Sequence, residues 1–357
     1  MSTEYQVFNE DCIPAMRRFA DEGRQFDLAV YSPPFASLFT YSNHDQDMGN
    51  SRDSDDEFLL HHQFFVDALF PLIKPGRRVC VHVQNPTRTK NSHGYMGIWD
   101  MRGDMIRQYQ AAGFVYYGEV TVDKCPQAQA IRTKSHALMF VNLRKDSAIN
   151  RPALVDYVMM FVKPGANATP INGVDRGEVT NEDWIRWARG VWHSNRDDAL
   201  ASERAAVLMA QVQAGTIAPK PRANIDEMTD DEVVSWARSI WYGIKETNTL
   251  NAALAREDSD ERHLCPLQLD LIERCVKLWS NPGETVFSPF AGIGSEGYVA
   301  LTFNRKFVGT ELKKAYYDRA VLNLKSAIAV RETAGSQGDL FGGFVHQTFQ
   351  QKSGGDA

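Results

Sequence analysis

Short apolar runs and longer amphipathic ones alternate through the first 147 residues of this chain. Residues 5–8, 26–31 and 79–83 are brief, rich in β-branched and aromatic side chains, and read as buried strands. Residues 58–72 and 101–112 carry apolar positions at helical spacing, and residues 114–122 and 137–143 read as further strands. A polar stretch over 42–57 and a long polar loop ending at Trp99 separate these elements. Such alternation predicts an α/β domain whose mainly parallel sheet is covered by helices.

Near Asn150 the pattern changes. Residues 150–245 are richer in tryptophan, charge and helix starts, and residues 180–192 recur as 229–241. Each copy opens with Thr, has an acid three residues on, and spaces Trp, Ala-Arg and Trp as on a helix. Residues 197–214 read as another helix and Pro219-Lys220-Pro221-Arg222 as a linker. Strand and helix patterns then resume: a helix opened by Pro266 and running to Trp279, with Leu269, Ile272, Val276 and Trp279 on a core face, then strands at 284–287 and 307–311 flanking a helix over 298–303. Four segments result: 1–147, a helical insert over 148–245, a second α/β part over 246–327, and a polar, Gly-rich tail over 328–357 expected to fray.

Chemistry concentrates at two strand ends. The 26–31 strand runs into Ser32-Pro33-Pro34-Phe35. Consecutive prolines donate no backbone hydrogen bonds and fix φ near about −65°, so the neighbouring carbonyls stand out as fixed acceptors between a hydroxyl and an aromatic face. That rim suits a planar base held by its amino group, although Pro-Pro after a strand also serves as a plain exit turn. The 284–287 strand runs into Ser288-Pro289-Phe290-Ala291-Gly292-Ile293-Gly294-Ser295-Glu296-Gly297, whose glycines allow a tight turn before a helix N-terminus. Glu311 ends the following strand, where a carboxylate can accept both hydroxyls of a ribose. Gly292, Gly294 and Gly297 also spell the dinucleotide pattern G-x-G-x-x-G, so a nicotinamide or flavin enzyme is a rival. Against it, little sequence after Glu311 remains for a second mononucleotide half.

Together these motifs resemble the permuted (beta-class) DNA amino-methyltransferases, in which the catalytic tetrapeptide precedes the cofactor loop. Ser32-Pro33-Pro34-Phe35 matches the family's catalytic motif, Phe290-Ala291-Gly292-Ile293-Gly294 its F-x-G-x-G loop, and Glu311 its ribose-binding acid. His263-Leu264-Cys265-Pro266-Leu267 resembles the motif that seats the methionine end of the cofactor, and Asp11-Cys12 the N-terminal acid facing its adenine. The spelling of residues 247–251 and 265–269 is similar to versions carried by phages and prophages. Ser288 departs from the family's usual Asp before Pro-Phe, which weakens the expected partner of the methionine ammonium and keeps a catalytically idle DNA-binding protein in view. The resemblance implies a Rossmann-like fold with helices on both faces, S-adenosyl-L-methionine as cofactor, and a recognition module between the two halves. Asp11, His263, Cys265, Pro266, Ser288, Pro289, Phe290, Gly292, Gly294, Ser295 and Glu311 are its implied cofactor residues. In that family, Ser at the first catalytic position goes with cytosine N4 and Asp with adenine N6. Cytosine is thus the implied base and adenine the alternative, with RNA or a protein amide as a more distant acceptor.

Composition narrows little else. Apolar content suffices for a core, and no run of about 18 apolar residues is present, so a cytoplasmic protein is expected, in a bacterial cell as the resemblance implies. Five scattered cysteines without a C-x-x-C pair indicate neither disulfides nor zinc. Cys125-Pro126 reverses the Pro-Cys order of carbon-5 cytosine methylation and reads as structural. The net charge of −6 does not exclude DNA, because affinity follows local phosphate contacts. Candidate contacts are Arg77, Arg78, Arg88, Lys90, Lys124, Arg132 and Lys134, with Arg186, Arg189 and Arg238 in the insert. Within the tail, Gln337-Gly338-Asp339-Leu340-Phe341 resembles the peptide that docks bacterial sliding clamps.

Overall fold

The computed structural model describes residues 4–35, 44, 46–50, 55–88, 90, 94–95, 97–123, 155–173, 176–188, 191–192, 244, 248–250 and 266–336. In chain order the elements are β1 (Tyr5–Phe8), α1 (Cys12–Asp21), β2 (Phe26–Tyr31), α2 (Asp55–Leu69), β3 (Ile73–Gln84), β4 (Thr87–Arg88), β5 (Gly97–Ile98), α3 (Met101–Ala111), β6 (Val115–Val122) and β7 (Asp156–Val162). They continue with α4 (Asn181–Trp187), β8 (Val191–Trp192), α5 (Leu269–Trp279), β9 (Thr285–Ser288), α6 (Ser295–Thr302), β10 (Lys306–Thr310) and α7 (Lys314–Ser336). Among the described residues one large sheet has the order β1-β10-β9-β2-β3-β7-β6-β8, and β4 and β5 form a separate hairpin.

From β1 to β3 neighbouring strands are parallel, whereas β7 is antiparallel to both β3 and β6. Helices pack on both faces, giving the Rossmann-like α/β architecture expected. One core gathers α1, α2 and α3 residues such as Met16, Phe65 and Met105 against Ala29, Tyr31 and Val81. The other gathers Leu271, Ile272, Cys275, Ala300 and Leu324 against Leu28, Val30, Cys80 and Val286. Successive strand residues thus alternate between the two cores, as a sheet buried on both sides demands.

β2 and β9, distant in sequence, are direct parallel neighbours, with Leu28 opposite Val286 and Ala29 opposite Phe287. A buried ion cluster secures them at the sheet end away from the two motifs. Asp27 accepts from Lys74 Nζ at 2.6 Å, Arg77 Nη2 at 3.1 Å and the Thr285 amide at 3.0 Å, and Arg77 also pairs with Glu284. Burial pushes the Asp27 carboxyl up, but these donors outweigh it and hold it below its ordinary range.

Several expectations need correction. β7 lies within the stretch expected to be a helical insert, because its Val158, Met159 and Phe161 fill sheet positions between β3 and β6. The helix after Thr180 has the expected capping box with Asp183 but stops at Trp187, and Val191–Trp192 pairs with β6 instead of continuing it. Pro266 does not open α5: residues 266–268 are not helical, the Leu269 amide goes to the Asn248 carbonyl at 2.8 Å, and the helix starts at Leu269. Its most buried apolar residues are Leu271, Ile272, Cys275 and Val276, with Leu269 and Trp279 only half-buried. α2 starts at Asp55 and ends at Leu69, where Pro71 enforces a short 3-10 turn over Phe70–Leu72. The proposed strand 137–143, helix 197–214, linker 219–222 and second repeat copy 229–241 lie outside the described residues. No described helix is long and apolar enough to cross a membrane.

Candidate active site

Parallel neighbours end at the same edge of a sheet, so the loops following β2 and β9 emerge side by side. Here the strand order also reverses: β2 leads outward to β3, β9 leads the other way to β10. Open α/β sheets bind ligands in the crevice at such a switch point. Ser32-Pro33-Pro34-Phe35 forms one wall, with Pro33 buried and the other three half-buried. The Ser288–Gly294 loop forms the opposite wall. Phe290 packs beside the residue that precedes Ser32: its ring lies 5.9 Å from Tyr31 and 5.0 Å from Phe65 of α2, centroid to centroid. Tyr31 is itself fixed by a buried hydroxyl pair with Tyr109.

The glycine loop is held by its own backbone and by β10. The Ala291 amide bonds the Thr310 carbonyl at 2.9 Å, Thr310 Oγ1 donates to the Pro289 carbonyl at 2.7 Å, and Asn323 Nδ2 donates to the Ile293 carbonyl at 2.8 Å. Gly292 and Gly294 adopt φ of +52° and +87°, the left-handed region that favours glycine. No atom lies within 4 Å of where a Gly292 Cβ would stand, so the loop leaves open space above it. Gly294 then caps α6, whose first residues Ser295 and Glu296 are buried.

Glu311 reaches the loop from the end of β10, accepting from the Gly292 amide at 2.8 Å and from the Lys313 amide of its own turn at 2.9 Å. Burial lifts its carboxyl to about 7 despite these two donors. Glu296, only 4% exposed, is pushed to about 8 by burial, with the charge of Glu311 adding to the rise. Asp11 caps α1, Oδ1 accepting from the Ile13 amide at 2.7 Å. The Cys12 thiol is raised by burial first and then by Asp11 and Glu311, which places both acids around it. Ser288 is fully buried, and its hydroxyl has no hydrogen-bond partner among the described residues. An open glycine turn, a carboxylate on one of its amides and an orphaned buried hydroxyl suit a polar ligand.

Other expected site residues are placed differently. Arg88 is buried, its guanidinium 4.9 Å from the Trp99 ring centre, and so is not the outward-facing side chain expected. Arg77 is buried in the ion cluster, and Arg78 lies over the Tyr117 ring at 5.4 Å. Lys90 is exposed and Pro266 half-buried. Arg186 lies on α4, whereas His263, Cys265, Lys124, Cys125, Arg132, Lys134, Arg189, Arg238 and the 337–341 motif lie outside the described residues. Trp187 is buried with the Arg274 guanidinium 5.8 Å from its ring, while Trp184 is 54% exposed. Sequence reading missed His82, Asp156 and Glu296, although a histidine interrupting the apolar run Val81 to Val83 was a visible signal.

The fold is a Rossmann-like α/β sheet with both motif loops leaving it at the switch point. Residues 26–322 match the DNA methylase family of N6/N4 methyltransferases, and the chain belongs to it. Orphan methyltransferase M.BamHII of Bacillus amyloliquefaciens is 40% identical over 68 residues, 19% of this chain and 26% of that protein. DNA adenine methyltransferase YhdJ of Escherichia coli K12 is 36% identical over 70 residues, 20% of this chain and 24% of that one. These alignments thus span about a quarter of each relative. The structure of TTHA0409 from Thermus thermophilus, solved with S-adenosyl-L-methionine, is similar in fold, with a TM-score of 0.56 at 16% identity over 91% of this chain and 94% of that one.

Proposed function

We propose that this protein methylates an exocyclic amino nitrogen of a DNA base, with S-adenosyl-L-methionine as methyl donor. The observation that carries the reading is the side-by-side exit of the Ser32–Phe35 and Ser288–Gly294 loops from paired parallel strands. Gly292, Gly294, Ser295 and Glu311 would hold the cofactor, with Asp11 toward its adenine and Ser288 toward its methionine end. The cofactor supplies an electrophilic methyl group. The protein supplies alignment, which accounts for most of such a rate.

A paired base cannot present its amino group, so the base is rotated out of the duplex at a cost of a few kcal/mol, roughly. Ser32 Oγ and the Pro33 carbonyl each accept one amino hydrogen, drawing the nitrogen away from conjugation with the ring. Phe35 stacks on the base, worth about 1–3 kcal/mol. Cytosine N4 is the preferred acceptor because Ser leads the catalytic tetrapeptide. Adenine N6 is the second reading, favoured by the name of the relative YhdJ. The rest of the 148–245 segment, outside β7, forms the recognition module, and Gln337–Phe341 docks a sliding clamp.

Digestion of DNA methylated with labelled cofactor separates the bases by mass: N4-methylcytosine is expected, and N6-methyladenine would reverse the base assignment. Label in RNA but not DNA would end the DNA reading. Calorimetry should show binding of S-adenosylmethionine and none of NAD. Ser32→Ala and Phe35→Ala should each slow transfer at least about 100-fold with cofactor affinity unchanged, and unaltered rates would remove the catalytic assignment. Deleting residues 336–342 should abolish binding to purified clamp, whereas retained affinity disposes of the docking motif.

A further inference from the structure

Three neighbouring strands bring a serine, a histidine and an aspartate into one hydrogen-bonded chain. Ser32 Oγ, at the end of β2, lies 3.2 Å from His82 Nδ1 and 3.1 Å from the His82 carbonyl oxygen, so its single hydrogen can serve either acceptor. His82 Nε2 lies 2.8 Å from Asp156 Oδ2. His82 is 8% exposed and Asp156 2%. The strand register produces this alignment. Tyr31 pairs with Val81 across β2 and β3, and the next residues, Ser32 and His82, share the sheet face of Val30 and Cys80. Across β3 and β7, His82 pairs with Val158 and Gln84 with Asp156, so Asp156 stands on that same face one period along.

A carboxylate only accepts, so in the neutral imidazole Nε2 carries the hydrogen donated to Asp156 and Nδ1 is left as an acceptor facing Ser32. We propose that the His82–Asp156 pair takes up, through the Ser32 hydroxyl, the proton that the amino nitrogen sheds as it is methylated. The proposal rests on the methyltransferase reading and adds two residues to its machinery. The nitrogen forms one bond to carbon, the carbon–sulfur bond breaks with its electron pair going to sulfur, and one N–H proton must leave. That proton passes to Ser32 Oγ while the Ser32 hydroxyl hydrogen moves to His82 Nδ1. Serine ends the step unchanged, the imidazolium is stabilised by Asp156, and the proton later returns to water. Ser32 is the catalytic residue; His82 and Asp156 are positioning residues that act through it.

The test compares His82→Asn, Asp156→Asn, Ser32→Ala and the double variant Ser32→Ala/His82→Asn in single-turnover methylation of duplex DNA. Melting curves and cofactor calorimetry accompany each. Asn at 82 can still hydrogen-bond Ser32 but cannot take its proton. His82→Asn and Asp156→Asn are each expected to slow transfer by about 10- to 100-fold while cofactor affinity changes less than about twofold. The double variant should be no slower than Ser32→Ala, because both changes interrupt one route. Full activity in His82→Asn, or additive losses in the double variant, overturns the relay. If a single variant melts below the assay temperature, the comparison of His82→Gln with wild type at lower temperature decides by the same criterion. An unimpaired Ser32→Ala enzyme would instead remove the underlying catalytic assignment, a distinct result.

Discussion

Replacing Glu296 by Gln removes an ionisable proton from the first turn of α6 while keeping the side chain's shape. In the folded protein burial and the Glu311 charge raise this carboxyl from the ordinary 4.5 to about 8. The folded state therefore holds the proton more tightly than the unfolded chain does. Stability from this group is complete below the ordinary value and declines as pH rises through 4.5 toward 8. Each pH unit in that window costs about 1.4 kcal/mol, so the whole interval amounts to roughly 4–5 kcal/mol. Glu296→Gln escapes this loss. Urea unfolding at several pH values should show variant and wild type nearly equal near pH 5, with the variant more stable by up to about 4 kcal/mol near pH 8.5. Parallel stability curves, or a wild type favoured at high pH, would refute the view that a buried, uncompensated carboxyl sits beside the cofactor loop.

Asp27→Asn should cost about 3–5 kcal/mol in urea melts above pH 5, because it takes the carboxylate from Lys74 and leaves the buried Arg77 with Glu284 alone. Since the Asp27 carboxyl is held below its ordinary range, that deficit should shrink as pH falls through the acid range. Gly297→Ala would bring a Cβ within 2.5 Å of Leu324 Cδ2 and Phe307 Cδ1, and a thermal melt should report about 1–3 kcal/mol of overpacking. Trp187→Ala should lose about 3 kcal/mol through its cavity, whereas exposed Trp184→Ala should stay within about 0.5 kcal/mol and weaken DNA in an anisotropy titration. Equal melts for the two tryptophan variants would contradict the division into a packed and an open face.

The elements that position the site were legible because each is short, apolar and closed by a breaker. β1, β2, β9 and β10 all fall within a residue of their expected bounds, and both motifs stand at strand ends as their prolines and glycines require. Less legible was anything decided by a distant partner. The α5 start depends on Asn248 capturing the Leu269 amide, which no local propensity encodes. β7 is apolar enough for a strand, but its membership of the sheet follows from matching both β3 and β6. Arg88 carries the charge of a phosphate contact, and its burial against Trp99 is set by a residue whose packing the local sequence does not reveal. His82 reads as one polar residue in a core strand until Asp156, far along the chain, supplies its second hydrogen bond.

Strand pairing explains why motif order along the chain is immaterial to the chemistry. On the proposed reading a methyl transfer needs an acceptor rim and a donor loop side by side, and two adjacent parallel strands bring both loops to one sheet edge whichever comes first in sequence. The connection between them can then be long, because the β2–β9 register is set locally by the Asp27 cluster at one end and by Tyr31, Phe65 and Phe290 at the other. The same logic extends outward by one strand on either side. β10 delivers Glu311 to the donor loop, and β3 delivers His82 to the acceptor rim, each through a single parallel pairing. A perturbation of the shared β2–β9 pair should therefore impair cofactor binding and base chemistry together, whereas changes on β10 or β3 should separate the two.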